Sequence, residues 1–407
     1  MHRHLVTLVA CVATLLCASR STTAMTANAA HDTLTIIVID RSTMDPPIDR
    51  LYIASSANAW DPQGTPAVER TPATDDTPQS FRFEIPYRIA SHPTFRFKFT
   101  RGSWETVETQ SDGNYLQNRD LEDELVGRPA TVTFEVHNFA DAIDTIPSTV
   151  VGTLETFELE SEHMENTRTI RVWLPEGYKG ATDTYPVLYM HDGQNCFDRN
   201  TAAFGMEWGI DDTLTSLIKA GDVPPMIVVG IDNAGPMRSW EYNAPEINFQ
   251  GRLGRADRYV RFLTEELMPA IEARFRVKSG PEHTAIGGSS FGGNITVYTL
   301  MHTQGVFGAA LIESPAIRYA GPQFEDLILE HKGPWCERVF IGMGTNETGD
   351  PARDPIYAEA ATVLADHMTA TGVDPDRLTL VIEDGAAHNE LAWAKRFPDA
   401  ARALFSQ

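Results

Sequence analysis

The stretch Ile286-Gly287-Gly288-Ser289-Ser290-Phe291-Gly292-Gly293 restricts this chain more than any other. Gly288, Ser290 and Gly292 form a Gly-x-Ser-x-Gly pattern. The short run His283–Ile286 before it reads as a buried strand, and Asn294–Met301 after it as a helix. A sharp strand-to-helix turn forces its serine into a strained backbone conformation, so the flanking residues must be small. The serine Oγ then stands clear of the sheet, with a helix N-terminus behind it that favours developing negative charge. A glycine-rich turn with an idle serine has the same five residues. What separates the two is the flanking strand and helix, and partners downstream.

A serine hydroxyl is a weak nucleophile, needing a base that an acid orients. The elbow resembles that of α/β-hydrolases, and the resemblance implies those partners on loops after later strands, acid first and histidine last. After an expected strand at Val339–Met343 comes Gly344-Thr345-Asn346-Glu347-Thr348-Gly349-Asp350. After another at Leu378–Ile382 comes Glu383-Asp384-Gly385-Ala386-Ala387-His388. His388 is the only histidine beyond the last strand and is the expected general base. Two acids compete. Glu347 stands first on its loop and can reach back over the sheet, whereas Asp350 can cap the helix that follows. Oxyanion donors are expected from the backbone N–H of Phe291 and of Gln194, the latter in His191-Asp192-Gly193-Gln194-Asn195. His191 and Asp192 themselves read as loop packing.

The rest of the pattern is an α/β fold preceded by a small all-β region. Residues 33–139 carry period-two stretches such as Phe81–Ile85, Phe95–Phe99 and Thr131–Val136, separated by Pro and Gly clusters, as in a β-sandwich. Residues 140–150 read as a linker. From 151 to 407 strands alternate with helices. A leading hairpin is expected at Thr153–Leu159 and Thr167–Leu174, and buried strands at Pro186–Met190, Met226–Ile231 and Ala309–Ile312. Helices are expected at Trp208–Ala220, Arg255–Phe275 with Pro269 as a possible kink, Pro355–Thr371 and Asn389–Phe405.

These motifs resemble the putative-esterase family of α/β-hydrolases, which includes acetyl-xylan and feruloyl esterases, enterochelin esterases, S-formylglutathione hydrolase and mycolyltransferases. The resemblance rests on Tyr189–Gln194, Val229–Asn233, the Gly288–Gly293 elbow, Gly344–Glu347 and Gly385–His388. It implies the α/β-hydrolase fold and a serine carboxylesterase without cofactor or metal. The family often has Asp where this chain has Glu347. Arg238-Ser239-Trp240-Glu241-Tyr242 is expected over the site. Arg238, Trp240 and Glu241 either shape the substrate pocket, or Arg238 and Glu241 pair with each other. The N-terminal region resembles starch- and glycogen-binding modules through Asn58-Ala59-Trp60-Asp61-Pro62, Phe97-Lys98-Phe99 and Asn118-Arg119. It lacks their tryptophan before the Asn-Arg pair. Trp60 and Trp104 read equally as sugar-stacking faces or as core.

Met1–His4 followed by apolar Leu5–Ala18 reads as an export signal, too short to span a bilayer, with cleavage near Ala29 or Ala24. Leu8-Val9-Ala10-Cys11 has the form of a lipoprotein box but lies early. A secreted or periplasmic protein is therefore expected. Loss of Cys11 and Cys17 with the signal leaves Cys196 and Cys336, expected as free buried thiols. The formal charge of −23 argues against a nucleic-acid or anionic-membrane partner. The expected substrate is an acetyl or feruloyl ester on a carbohydrate. The alternative is a siderophore ester, which the acidic balance disfavours, and a third reading is a non-catalytic binding protein that keeps the fold.

Overall fold

The computed structural model describes residues 32–406, apart from 43–47, 59, 76, 93–94, 112, 114–115, 122–123, 127–128 and 142–146. The expected export signal, with Cys11 and Cys17, lies outside the described residues, as does the middle of the expected linker.

In the N-terminal region β1 (Thr33–Asp40) pairs antiparallel with β3 (Ser80–Pro86) and parallel with β5 (Thr131–Val136). In a second sheet β2 (Tyr52–Ser55) pairs antiparallel with β4 (Phe97–Thr100). Strand side chains alternate between faces, so Leu34, Ile36 and Val38 meet Phe81, Phe83 and Phe134 in one core. Ile53, Phe97 and Phe99 of the second sheet complete it. β4 departs from the expected half-buried alternation, because all four of its residues are buried. Lys98 is accommodated by donating to the Leu116 carbonyl, and burial lowers its pKa to about 8. Arg119 donates to the buried Glu108 carboxylate at 2.9 and 2.8 Å and lies over Phe99 and Phe134.

The remaining chain builds one eight-stranded sheet. β6 (Thr153–Ser161) and β7 (Asn166–Leu174) form the expected hairpin. They are followed by β8 (Val187–His191), β9 (Ile227–Ile231), β10 (Thr284–Ser289), β11 (Ala309–Glu313), β12 (Arg338–Asn346) and β13 (Leu378–Ala387). The order is β6-β7-β9-β8-β10-β11-β12-β13, parallel from β9 onward. β8 to β11 are buried along their whole length, as parallel strands covered on both faces must be. Alternation along β8 sends Leu188 and Met190 to one face and Val187 and Tyr189 to the other. The first face packs on α1 (Ile210–Ala220) and α4 (Glu390–Phe405), the second on α2 (Phe291–His302) and α3 (Asp354–Ala370).

Two local differences from the sequence expectations have physical causes. The helix expected at Arg255–Phe275 runs as Ala256–Arg261, a π-helical stretch at Phe262–Leu267, and Met268–Arg274. The wider π turns sit just ahead of Pro269, which cannot supply an N–H to the ladder. β13 continues to Ala387 instead of ending at Ile382, because its extension still pairs with Gly344 and Asn346 of β12. His388 therefore leaves the sheet directly. Parallel strands bring their C-terminal ends to one edge, so the loops after β8, β10, β12 and β13 converge there.

Candidate active site

Ser290 ends the turn between β10 and α2 with φ 59° and ψ −125°, a backbone conformation costly for a residue with a side chain. Its N–H donates to the Glu313 carbonyl at 2.9 Å and its carbonyl accepts from Ala316 N–H at 3.2 Å, which holds the strain in place. The elbow glycines leave little room for a side chain. A Cβ on Gly288 would come within 3.0 Å of the His191 Cβ, and one on Gly292 within 3.0 Å of an Asp192 oxygen. Phe291 opens α2, so its N–H belongs to the first turn that has no intrahelical acceptor.

The turn after β8 lies against this elbow. Asp192 has φ 60°, and Gly193–Asn195 form a 3-10 turn. A Cβ on Gly193 would lie 2.3 Å from the Gly230 carbonyl carbon, so only glycine lets the turn press onto β9. The Asp192 carboxylate accepts from Arg238 at 2.6 and 2.7 Å and from Asn233 Nδ2 at 2.7 Å. Burial alone would raise its pKa, but the Arg238 charge and these hydrogen bonds outweigh burial and lower it. Gln194 is fixed by its side chain and carbonyl, which accept from Asn233 N–H and Thr201 Oγ1. Among the described residues neither Gln194 N–H nor Phe291 N–H has a protein acceptor. His191 is buried and bonded to the Tyr259 hydroxyl at 2.9 Å; burial lowers its pKa to about 3, so the ring is neutral.

His388 Nδ1 meets Glu347 Oε2 at 2.5 Å. A carboxylate can only accept, so Nδ1 carries the proton and Nε2 keeps a lone pair. The other Glu347 oxygen accepts from Ser314 Oγ at 2.7 Å and from Gly344 N–H at 2.6 Å. Burial of Glu347 opposes ionisation, yet the His388 bond and charge, Ser314 and Gly344 together lower its pKa. Trp393 supports both partners, donating to Ser314 Oγ at 2.9 Å and setting its ring edge-on to the His388 imidazole at 5.1 Å. Asp350 takes no part in this network. It accepts from Ala352 N–H at 2.9 Å and its carbonyl receives Asp354 N–H, at the entry to α3. Among the described residues no hydrogen bond joins Ser290 Oγ to His388. They follow β10 and β13, which have β11 and β12 between them in the sheet, and are linked through the intervening loops: Ser290 is bonded to the Glu313–Ala316 segment, whose Ser314 holds Glu347. Catalytic bonds of this kind are commonly long before substrate binds.

The other sequence candidates fall into two groups. Arg238 and Glu241 are not paired with each other. Arg238 holds Asp192, and Glu241 is buried against Arg168 at 2.8 Å. Trp240 donates to the Phe249 carbonyl and is covered by Arg252. Trp60 and Trp104, by contrast, are partly exposed, with ring centroids 6.4 Å apart. They face His388, Glu347 and Glu390 across a cleft of about 490 Å³ whose wall also includes Arg96 and Asn118. The turn Trp104–Thr106 packs on Ala203–Gly205, and Arg199 donates to the Gly113 carbonyl at 3.3 Å, which ties the N-terminal region to this rim. Glu390, Ser314 and Trp393 had no signal in the sequence beyond Glu390 standing two residues from His388. Cys196 and Cys336 are both free and buried. Among the described residues no three His, Cys, Asp or Glu side chains converge as metal ligands, and no helix is long and apolar enough to cross a membrane.

Residues 161–404 match the family described as "Putative esterase". The chain belongs to this esterase family. It is therefore an enzyme that hydrolyses ester bonds. It is 23% identical over 251 residues to the uncharacterized protein YbbA of Bacillus subtilis (strain 168), covering 61% of this chain and 96% of that protein. It is 25% identical over 263 residues to an endo-1,4-beta-xylanase/feruloyl esterase of Xylanibacter ruminicola, covering 62% of this chain but only 31% of that longer protein. The crystal structure of the enterobactin esterase FES from Shigella flexneri is similar in fold, with a TM-score of 0.51 at 15% identity, over 91% of this esterase and 92% of that chain.

Proposed function

We propose that this esterase is a secreted serine carboxylesterase acting through an acyl-enzyme on Ser290. The observation that carries the reading is the His388 Nδ1–Glu347 bond at 2.5 Å, which leaves Nε2 free to act as a base, together with the strained, partly exposed Ser290 at the elbow. Ser290 Oγ attacks the ester carbonyl while its proton passes to His388 Nε2. Glu347 holds the imidazolium, and the N–H groups of Phe291 and Gln194 receive the oxyanion. Collapse releases the alcohol with the proton from His388. Water then repeats the sequence on the acyl-enzyme and frees the acid.

The substrate is an ester of acetyl or feruloyl type on a carbohydrate. Two partly exposed tryptophans beside His388 support this, since sugar and phenyl rings stack on such faces. The relationship to a xylanase/feruloyl esterase points the same way. In this reading the chain has an export signal at 1–29, a carbohydrate-binding-like β-sandwich at 33–139, a linker at 140–150 and the hydrolase at 151–407, with Trp60 and Trp104 contributed across the joint. A second reading, a siderophore esterase, is favoured by one observation. The likeness in fold to the enterobactin esterase extends over the N-terminal region as well as the hydrolase.

The deciding experiment is hydrolysis of acetylated xylan, methyl ferulate and ferric enterobactin by the mature protein, with Ser290→Ala as blank. Turnover of either of the first two, lost in the variant, supports the carbohydrate-side reading. Turnover of the siderophore alone overturns it in favour of the second.

A further inference from the structure

Glu390 opens α4 two residues after His388 and is 8% exposed. Its Oε1 accepts from Asn195 Nδ2 at 2.9 Å, and its side chain lines the cleft that His388, Trp60 and Trp104 line. Asn195 cannot yield. It belongs to the same 3-10 turn as Gln194, its Oδ1 holds Ala203 N–H at 2.9 Å, and its carbonyl holds Trp208 N–H. The carboxyl is thus locked between the loop of the histidine and the turn of the oxyanion donor. The charged groups around it are already engaged. Asp192 and Arg238 neutralise each other, and Glu347 is bonded to His388. Arg96 stands on the opposite wall. The bonded partner of Glu390 is a neutral amide.

We propose that Glu390 sets the charge this cleft accepts. It favours esters whose parts next to the reacting carbonyl are uncharged and hydroxyl-bearing, and it rejects esters that bring an anion there. The inference rests on Ser290 and His388 being the reacting pair. A substrate hydroxyl satisfies Glu390 by donating to its carboxylate, or by accepting from the acid form. A substrate carboxylate or catecholate meets a fixed like charge, and like-charge juxtaposition disfavours that partner. Burial raises the Glu390 pKa to about 7, as expected for a carboxyl without a bonded cation. Through this residue the cleft would discriminate against a polyanionic siderophore and in favour of a neutral phenolic or sugar ester.

The test compares two esters that differ only in charge, methyl ferulate and the methyl ester of a ring-carboxylated cinnamic acid, at about pH 8. Glu390→Gln keeps the size and, through its amide oxygen, the bond from Asn195. The full-length wild type is expected to prefer the neutral ester in kcat/KM, and the variant to lose that preference by on the order of tenfold or more. A residue that only braced the loop would lower both substrates together, so an unchanged ratio overturns the proposal. Calorimetric binding of the same two esters to Ser290→Ala, with and without Glu390→Gln, makes the comparison independently of turnover. If Ser290→Ala still hydrolyses either ester, it is the assignment of the nucleophile that fails, and the charge ratio is then read on its own.

Discussion

Arg238 grips both carboxylate oxygens of Asp192, with Nε 2.6 Å from Oδ1 and Nη2 2.7 Å from Oδ2, and the same Nη2 donates to the Ser289 carbonyl at 3.3 Å. One guanidinium thus joins the turn carrying Gln194 to the residue before Ser290. Its planar fork suits this task in a way an ammonium does not. Arg238→Met would leave Asp192 buried, unpaired and in a left-handed conformation. A loss of about 3 to 5 kcal/mol in stability is expected, with kcat falling more than KM rises. Pairing it with Asp192→Asn should recover much of the stability. Denaturant unfolding and steady-state kinetics of the single and double variants check this. A raised KM with unchanged stability would instead make Arg238 a substrate contact.

Ser290→Ala and His388→Ala are each expected to lower kcat by on the order of 10⁴ to 10⁶ while the fold is kept. Circular dichroism and turnover of a small activated ester measure the two halves of the statement. Near-normal turnover in either variant would remove that residue from the chemistry.

Glu347→Gln should cost far more activity than Asp350→Asn, because only Glu347 bonds His388. The amide cannot stabilise the imidazolium and can present an N–H to Nδ1, which favours the wrong tautomer. Asp350→Asn should cost no more than the few tenths to about 1 kcal/mol of a turn or cap residue. The reverse order in kcat would exchange their roles.

Trp60→Ala and Trp104→Ala are expected to raise KM for a polysaccharide-linked ester by roughly three- to tenfold, the worth of one aromatic contact. KM for a small activated ester should not move. Equal effects on both substrates would mean that the two rings only support the loop.

Stability should depend on pH through Glu390. Its carboxyl is raised to about 7, above the ordinary glutamate value of the unfolded chain. Its favourable contribution is full below about pH 4.3, where both states bind the proton, and is lost as pH rises through about 7. Asp192 and Glu347 are depressed and act in the opposite sense at low pH, but they are common to wild type and variant. Between about pH 5 and pH 8 the stability of Glu390→Gln relative to wild type is therefore expected to improve, by up to about 3 kcal/mol. Thermal melts of both proteins at the two pH values measure the difference. A difference that does not change with pH would place Glu390 at its ordinary value.

Much of the fold was legible because local rules generate it. Unbroken apolar runs such as Met226–Ile231 became strands buried on both faces, and the glycines around Ser290 marked a turn that only small residues allow. The end of the last strand was not legible. Residues 383–387 hold two acids, a glycine and two alanines, which is no strand pattern, and their pairing with β12 and bonds to Thr345 keep them extended. The partners of Arg238 and Glu241 were equally hidden. Three residues apart on one short helix, they look like a pair, yet each finds a stronger partner on another element, Asp192 and Arg168.

The sequence by itself determined the order of strands and helices, the elbow at Ser290 and the placing of Glu347 and His388 after strand ends, because these follow from periodicity, steric size and chain order. Tertiary structure alone decided that Glu347, rather than Asp350, meets His388. It also turned Trp60 and Trp104 toward the site and set Glu390 against Asn195. Contacts between residues as far as 195 positions apart depend on how parallel strands bring their loops to one edge, and no local pattern encodes that distance.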